Sequence, residues 1–586
     1  MIKLLKKLTK KDMALAGLAF LLILAQVYLN LTMPDYMSDM TVLVQTEGSA
    51  MADILAAGGK MLLCAVGSLL TAACIAVCAA KISANFSANL RGQVFNRVQS
   101  FSMEEIGRFS TASLITRSTN DVTQVQMLIV MGLSIMLRAP IMAVMAILKI
   151  VDKSWQWTLS TGVAVVVLLV VVIICVSLCM PKFKRLQSLT DDINQVTREN
   201  LTGLNVVRAY NAEAYQEEKF EKVNKDLTDT HWFTSKTMAF MMPTIMMIMN
   251  GLSLAIYWIG AVLINDAQDM QGKFTLFSDM VVFSSYAMQV VMSFMMLVMI
   301  FIMLPRASVA AKRILEVLDT EPSIEDGTRD TFPVMKDGEV EFKDVSFKYP
   351  DAEEYVLEHI SFSAKKGETI AFIGATGCGK STAINLIPRF YDATEGEVFV
   401  DGVNVKEYTQ EALHNKIGYV SQKAILFSGT IADNVAYGEN GKAPATQDDI
   451  AMAVKVAQAS EFVEKKDQGY DGYVAQGGSN FSGGQKQRLS IARAIARQPE
   501  ILIFDDSFSA LDYKTDRILR EALRKECKDA TKIIVAQRIG TIRDADKIIV
   551  LDDGQIAGMG THDELMKNCE VYQEIAYSQL SKEELA

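Results

Sequence analysis

Charged residues are scarce in this chain of 586 residues: Asp, Glu, Lys and Arg make up 22% of it and apolar residues 50%. This composition differs from that of a disordered chain or a fully soluble enzyme. A net positive charge is also missing, since 68 acidic residues against 58 basic ones leave a formal charge of −10. The balance argues against a nucleic-acid partner bound through a basic face.

Disulfide-forming cysteines are lacking as well, because none of the eight cysteines lies in a short polar loop. Five lie in apolar runs, and three lie in the polar C-terminal half of the chain. The C-terminal half is therefore expected to lie in a reducing cytoplasm.

Six stretches of about 20 apolar residues are present, and this length crosses a hydrocarbon core as a helix. The second, third and sixth continue into amphipathic sequence with a helical period, which predicts helices that project beyond the bilayer. The stretches are centred near Leu22, Leu69, Met136, Leu168, Ile256 and Met292.

The charges around the first apolar stretch predict its orientation. Five lysines precede it, whereas the loop that follows carries four acidic residues and neither Lys nor Arg. The positive-inside rule places the N-terminus in the cytoplasm, and six spans return the C-terminus there. A signal peptide is the alternative, but the run has no small-residue cleavage site and five more spans follow. We expect a basic cytoplasmic elbow over residues 1–12 and a transmembrane domain over 13–318.

Two long, charged connections, at about 82–122 and 182–240, fall on the cytoplasmic side. Each contains a helix-breaking interruption, near residues 107–113 and 203–212. A helical hairpin can turn at such a point and present a short helix to a cytoplasmic partner.

From about Thr320 the sequence alternates between β-rich runs, Gly turns and helical segments, typical of an α/β domain. We expect a linker over 319–338 and this domain over 339–586. A buried strand at 369–373 leads into a phosphate-binding P-loop and then a helix. A chance Gly-rich turn is the alternative, but both flanking elements argue against it. The nucleotide-binding candidates are Gly374, Thr376, Gly377, Cys378, Gly379, Lys380, Ser381 and Thr382.

The P-loop predicts the chemistry of a nucleoside triphosphate with Mg²⁺. Backbone N–H groups close around the phosphates, Lys380 adds a positive charge, and the Ser381 hydroxyl ligates Mg²⁺. The apolar strand 501–504 ends in Asp505, a second candidate ligand for Mg²⁺.

A second Gly-rich helix start carries Ser482, Gly483, Gly484 and Gln485. It is a second anion site, and one chain can hardly fold both sites around the same phosphate. A dimer in which this motif covers the nucleotide of the other subunit resolves the problem. An ordinary helix cap with two turn glycines is the alternative.

These motifs, with Gln422 and the 509–512 segment, resemble the motif set of an ABC ATPase. Six spans followed by one such domain resemble an exporter half-transporter over essentially the whole chain. The resemblance implies a membrane all-α domain of six helices followed by an α/β P-loop ATPase domain, with ATP and Mg²⁺ as cofactors. It also implies that Tyr349 stacks on adenine, Gln422 joins Mg²⁺ to the membrane domain, and Asp512 lies at a dimer seam.

The family places coupling helices at the two cytoplasmic interruptions. Arg208, Tyr210 and Glu213 are the resulting candidates for coupling contacts. A solvated helix-turn face is the alternative interpretation of these three residues.

Two positions depart from the family pattern. Asp506 stands where a Glu usually polarises the attacking water, and Gln537 stands where a His contacts the γ-phosphate. The shorter Asp withdraws its carboxylate by about 1 Å, and such a misplacement can cost about 10²-fold in rate. Gln537 cannot become cationic or exchange a proton as imidazole does. The chain thus resembles the degenerate-site subunit of heterodimeric bacterial multidrug exporters, whose partner keeps the Glu and the His; a homodimer is the alternative.

The expected cargo is an amphipathic small molecule moved out across the bacterial cytoplasmic membrane, with lipid as the surrounding medium. Methionines are frequent in spans five and six, and thioethers suit a surface that repacks around varied ligands, although Met is also an ordinary lipid-facing residue. Arg138, midway along the third span, is expected to face a cavity, a partner helix or the cytoplasmic extension. It either meets an anionic group of the substrate or pairs with a carboxylate of the partner chain, and the structural pair is favoured. A lipid or peptide flippase and an ATP-binding regulator or channel are the other functions. The cavity candidates are Arg138, Gln289, Met292 and Met296.

Overall fold

The computed structural model describes residues 2–46, 49–151, 153–268, 270–330, 337–350 and 352–579. Part of the predicted linker, residues 331–336, and the end of the predicted α/β domain, 580–586, lie outside these ranges. The chain divides into two compact units, Met1–Gln99 with Ala112–Thr320, and Ser100–Thr111 with Glu321–Ala586. Residues 100–111 of the predicted transmembrane domain group with the second unit, whereas 1–12 and 319–320, outside that prediction, group with the first.

Within the described ranges, six helices of the first unit are long and apolar enough to cross a membrane. Each contains one of the predicted span centres. A helix of 49 residues, the length of the second, is about 70 Å long at 1.5 Å per residue and exceeds a ~30 Å hydrocarbon core. The membrane helices are Lys10–Gln45, Met51–Gln99, Thr111–Val151, Trp155–Thr202, Glu213–Asp266 and Met270–Asp319.

The third membrane helix is not continuous. It consists of the helical segments Thr111–Ser118, Asn120–Met131 and Arg138–Val151, with a π-helical turn over Gly132–Met136. A π-helical turn holds an extra residue in one helical turn and often marks a functional position. Arg138 begins the segment directly after this turn.

The first membrane helix begins inside the predicted elbow. The Thr9 hydroxyl accepts a hydrogen bond from the N–H of Asp12, and the Asp12 carboxylate accepts one from the N–H of Thr9. This capping box satisfies two free donors, so the helix starts at Lys10. The last three residues of the predicted elbow are therefore helical.

The two cytoplasmic interruptions each contain a short helix, Met103–Phe109 and Leu204–Ala209. In the first, a capping box of Ser102 and Glu105 starts the helix and Ser110, with φ +54°, ends it. This break at Ser110 lies within the interruption predicted near 107–113. In the second unit, the Glu105 carboxylate also accepts the N–H of Ser323 at 2.9 Å.

The second unit is built around two larger sheets and a short two-stranded one among its described residues. The antiparallel sheet has the order β2-β1-β4-β5, and the other has the order β12-β11-β3-β10-β9-β6. The strands are β1 Val340–Phe347, β2 Leu357–Ala364, β3 Thr369–Gly374, β4 Glu395–Val400, β5 Val403–Asn404, β6 Ile417–Val420, β7 Gly429–Thr430, β8 Tyr473–Val474, β9 Ile501–Asp505, β10 Thr531–Val535, β11 Lys547–Asp552 and β12 Gln555–Gly560.

Helices surround these sheets. They are Lys380–Asn385, Gln410–Asn415, Ile431–Val435, Gln447–Val456, Ser460–Glu464, Gly483–Ala496, Tyr513–Glu526, Ile539–Ile542, His562–Asn568 and Glu570–Gln579. Strands β3, β10, β9 and β6 run parallel, so their carboxyl ends lie at one edge of the sheet. Val535 at the end of β10 pairs with Asp505 on one side and Phe372 on the other. Ligands of open α/β sheets bind at this edge.

A buried ion network ties the antiparallel sheet to the central one. The Lys416 ammonium donates to Asp401 at 2.5 Å and to Glu500 at 2.6 Å. Asp401 is fully buried, and it also accepts the N–H of Glu339. Burial raises the pKa of Asp401, and the contact with Lys416 opposes that shift.

We expect Lys416→Met to destabilise the second unit by about 3–5 kcal/mol, because it leaves the Asp401 charge buried without its partner. Thermal unfolding of the purified full-length protein measures the effect. Lys343→Met is the matched control, because its ion pair with Glu341 is solvent-exposed and should contribute at most about 1 kcal/mol. Equal melting temperatures for the two variants would show that the buried network is not stabilising.

Candidate nucleotide-binding site

The P-loop follows β3 and leads into the helix Lys380–Asn385, the order predicted from the sequence. Gly377 and Gly379 both have φ +92°, a left-handed conformation that favours glycine. A side chain at Gly379 would also meet the Val356 carbonyl oxygen at 2.8 Å. The loop therefore requires glycine at position 379 for space as well as for conformation.

Lys380 is buried, and its ammonium curls back onto the loop. It donates to the carbonyl oxygens of Gly374 at 2.8 Å and Ala375 at 2.6 Å. The Cys378 thiol lies 3.5 Å from the same nitrogen. This places the positive charge inside the loop that is predicted to hold the phosphates.

The two predicted Mg²⁺ ligands contact each other. The Ser381 hydroxyl donates to the Asp505 carboxylate at 2.6 Å. Hard oxygen donors of this kind are the ligands that Mg²⁺ takes in proteins. Burial raises the pKa of Asp505, the hydrogen bond from Ser381 lowers it, and the neighbouring Asp506 raises it further.

Asp506 contacts residues at or just beyond the ends of β10 and β6, and it directly follows β9. Its backbone has φ +43°, and its N–H donates to the Val535 carbonyl at the end of β10. One of its carboxylate oxygens accepts a hydrogen bond from the Gln537 amide at 2.9 Å and another from the Gln422 amide at 3.3 Å. Burial raises the pKa of Asp506 and the hydrogen bond from Gln422 opposes that shift. The structure thus brings together the P-loop, Asp505, Asp506, Gln422 and Gln537.

Tyr349 lies beside the P-loop helix. Its hydroxyl is 3.1 Å from the Thr382 hydroxyl, and its ring meets those of Phe347 and Tyr391 edge to face. An aromatic group is therefore present next to the loop, where the sequence predicts an adenine contact.

The residues of the second Gly-rich motif lie apart from this group. Ser482 caps the helix Gly483–Ala496 and exchanges hydrogen bonds with Gln485. Ser482 and Gly483 are exposed, and a side chain at Gly483 would have nothing within 4 Å. Among the residues that the structure describes, none of the four hydrogen-bonds to the P-loop, Asp505, Asp506 or Gln537. Asp512 is likewise exposed and caps the helix Tyr513–Glu526.

The predicted coupling residues lie on the second cytoplasmic hairpin of the first unit. Arg208 and Tyr210 are exposed, Tyr210 by 79%. Glu213 begins the fifth membrane helix and lines an open cleft of about 450 Å³ together with residues of the fourth.

The four predicted cavity residues lie together in the first unit. Arg138, Gln289, Met292 and Met296 line one cavity of about 190 Å³ between the third and sixth membrane helices. Its other lining residues are Met142, Met288 and Ser293. The methionines of the fifth helix do not line it, and Met242, Met246 and Met247 are more than half exposed.

Three glutamine and serine side chains that support the site were missed by the sequence analysis. Buried Gln487 donates to the Ser421 carbonyl at 3.2 Å, and buried Ser507 donates to the Val420 carbonyl at 3.1 Å. Both contacts hold the segment that leads to Gln422. Gln579, near the C-terminus, donates to the Gln537 carbonyl at 2.7 Å and accepts the N–H of Ile539 at 2.9 Å. No motif marks these positions, because each acts on backbone groups that are distant in sequence.

Comparisons with known proteins show which family this chain resembles. The profile of the family described as "ABC transporter transmembrane region" matches residues 15–311, and that of "ABC transporter" matches residues 357–509. An uncharacterised ABC transporter ATP-binding protein of Mycobacterium bovis is 40% identical over 90% of this chain and 88% of its own length. The ATP-dependent lipid A-core flippase of Pseudomonas fluorescens is 33% identical over 82% of this chain and 78% of its own.

A solved structure shares the fold. A bacterial Atm1-family ABC exporter with ATP bound superposes with a TM-score of 0.80 at 24% identity, over 98% of this chain and 99% of that one.

Gln579→Ala should loosen the loop that carries Gln537, because it removes two hydrogen bonds worth about 0.5–1.5 kcal/mol each. We expect amide hydrogen exchange in a peptide covering 537–541 to become roughly 10-fold faster. Gln573→Ala is the matched control, since among the described residues this side chain on the same helix hydrogen-bonds to the Met566 carbonyl and not to the 537–541 loop. Identical exchange in both variants would mean that Gln579 does not hold the loop.

Proposed function

This chain belongs to the ABC transporter family, and from that premise we propose that it is one half of a heterodimeric exporter of amphipathic, drug-like compounds. ATP hydrolysis drives the transport across the bacterial cytoplasmic membrane, with both termini in the cytoplasm. The partner is a related half-transporter that keeps the catalytic Glu and His. This chain supplies the P-loop of a site that hydrolyses ATP slowly and the Ser482–Gln485 motif of the site that hydrolyses it efficiently.

The environment of Asp506 carries this proposal. A general base must have a free oxygen within hydrogen-bond reach of the attacking water. The Asp506 side chain is one methylene shorter than Glu, and one of its oxygens already accepts the amides of Gln422 and Gln537. Because burial raises its pKa, basicity is not what Asp506 lacks. The deficiency is one of reach and orientation.

Mg²⁺ fits the site, because Ser381 and Asp505 present adjacent oxygen ligands at the end of the P-loop. These two residues would hold the ion, which neutralises charge on the transferred phosphate when bound. Gln422 donates a hydrogen bond to Asp506, the residue after Asp505. It is the proposed connection between Mg²⁺ and the membrane domain. Tyr349 is the proposed adenine contact.

The exposed start of the helix Gly483–Ala496 supports a site shared between two subunits. Its free N–H groups and helix dipole attract an anion, and Ser482 and Gly483 lie at the surface. We assign this surface to the γ-phosphate of the partner's ATP, with Asp512 at the seam. Arg208, Tyr210 and Glu213 are the proposed coupling contacts.

Lipid export is the second candidate function, and the similarity to lipid A-core flippases favours it. An ATP-binding regulator or channel would also suit slow hydrolysis at Asp506. Uphill transport that stops when the partner's catalytic Glu is removed separates a pump from a regulator.

The intact mass of the complex, purified in mild detergent through a tag on this chain, tests the assembly. A second, different chain of similar size is expected. Two copies of this chain alone would contradict the heterodimer and leave both ATP sites with Asp506 and Gln537.

The double substitution Asp506→Glu with Gln537→His should raise ATP hydrolysis at this chain's own P-loop by about 10-fold or more. The longer carboxylate recovers about 1 Å of reach, and the imidazole can contact the γ-phosphate. The rate is measured on the complex with the partner's catalytic Glu replaced by Gln, so that only this site contributes.

Adding Lys380→Ala to the double variant is the control, and it should abolish the gain. Rapid hydrolysis at the unmodified site, measured against the same disabled partner, would refute the assignment of this chain as the slow side.

A further inference from the structure

The cavity between the third and sixth membrane helices contains two polar side chains without partners. Arg138 makes no hydrogen bond or ion pair with any described residue. The side-chain oxygen of Gln289 is buried and has no hydrogen-bond donor within the described ranges. A charge or an amide left unpaired among apolar groups is costly, so both require a partner from outside this chain.

The acidic groups near the membrane in this chain do not supply that partner. Asp35 accepts from Lys149 at 2.6 Å, and Asp279 accepts from Lys153 at 2.6 Å. Asp121 pairs with Arg313 at 3.3 Å. Among the described residues, no carboxylate of this chain pairs with Arg138, so its partner must come from outside the chain.

The other walls of the cavity are apolar and adaptable. Met142, Met288, Met292 and Met296 line it, and thioether side chains adjust to irregular ligands. The π-helical turn Gly132–Met136 directly precedes Arg138 and interrupts the regular helix at the cavity wall. The volume of about 190 Å³ is below the ~300–1,000 Å³ of a site for a whole drug-sized ligand. The cavity is thus large enough for a head group, whose apolar body would extend beyond it.

We propose that this cavity is a recognition subsite for the anionic group of an amphipathic substrate, with Arg138 pairing with the anion and Gln289 bonding to a neighbouring polar group. This inference rests on the exporter function proposed above and specifies its substrate class: amphiphiles bearing a carboxylate, phosphate or sulfate. Arginine suits this role because its planar guanidinium binds such oxyanions through two parallel hydrogen bonds.

Binding of a matched pair of fluorescent amphiphiles tests the proposal. The probes are dansylaminoundecanoic acid and its uncharged methyl ester, titrated into the full-length complex in phosphatidylcholine nanodiscs without nucleotide. Protein-free nanodiscs give the partition background. Because no ATP is present, the result is independent of whether hydrolysis or transport occurs, so failure here is distinct from failure of the exporter function.

The acid should bind the unmodified complex about 10-fold more tightly than the ester. Arg138→Gln should remove this preference, because a buried charge-assisted pair contributes about that factor or more. Arg138→Lys should retain most of it, and Gln289→Leu should weaken binding of the acid a few-fold. If Arg138→Gln does not assemble, the Lys and Leu variants still test the site. The proposal would be overturned if Arg138→Gln kept the preference for the acid over the ester. It would also be overturned if Gln289→Leu bound the acid as tightly as the unmodified complex does.

Two further outcomes are distinguished in the same experiment. Loss of the partner chain from Arg138→Gln on native mass spectrometry, with equal weakening for acid and ester, would show that Arg138 pairs with the partner and would refute the subsite.

Phosphatidylglycerol in the nanodiscs provides the arm for a lipid source. Competition with the acid in the unmodified complex, but not in Arg138→Gln, supports the subsite and assigns it to a lipid head group. Absence of competition, with the acid preference retained, supports the subsite for a free amphiphile.

Discussion

The parallel alignment of β3, β10, β9 and β6 is the constraint on which the nucleotide site depends. Residues from four separate stretches of sequence meet because the carboxyl ends of these strands lie at one edge of the sheet. The pairing of Val535 with Asp505 fixes how far the Asp506 carboxylate lies from the loop that carries Gln537. A shift of this register would separate both from the P-loop.

The same edge shows why Asp506 is an unusual residue for its position. It combines a left-handed backbone conformation, a buried carboxylate and two amide donors on one oxygen. Glutamine at 537 donates to this carboxylate and cannot carry a positive charge, so the contact is a hydrogen bond and not an ion pair. Hydrogen bonds from Gln579, Gln487 and Ser507 to backbone carbonyls hold the segments that carry Gln537 and Gln422.

Charged side chains of the membrane unit differ in whether they have a partner within the described residues. Lysines and aspartates near the short connections pair with each other, as Lys149 does with Asp35. Such pairs satisfy their charges inside one chain. Arg138 differs, because it follows a π-helical turn, lines a cavity and has no partner among the described residues. Arg138 thus differs from the lysines and aspartates that join helices within this chain.

The sequence by itself determined the six apolar helices, the P-loop, the strand ending in Asp505 and the departures at Asp506 and Gln537. These features are local, since each depends on a hydrophobic run or on a motif with fixed spacing. Side-chain capping by Thr9 and Ser102 sets where two of the helices begin, and the sequence analysis did not identify these caps. Only the tertiary structure decided that Gln422 and Gln537 share one Asp506 oxygen and that Gln579 holds the loop that carries Gln537. It also decided that Arg138 lies in one cavity with Gln289 and without a partner among the described residues. The hydrogen bonds among these groups join residues up to 84 positions apart in the chain, and no local pattern encodes which distant backbone or side-chain groups meet.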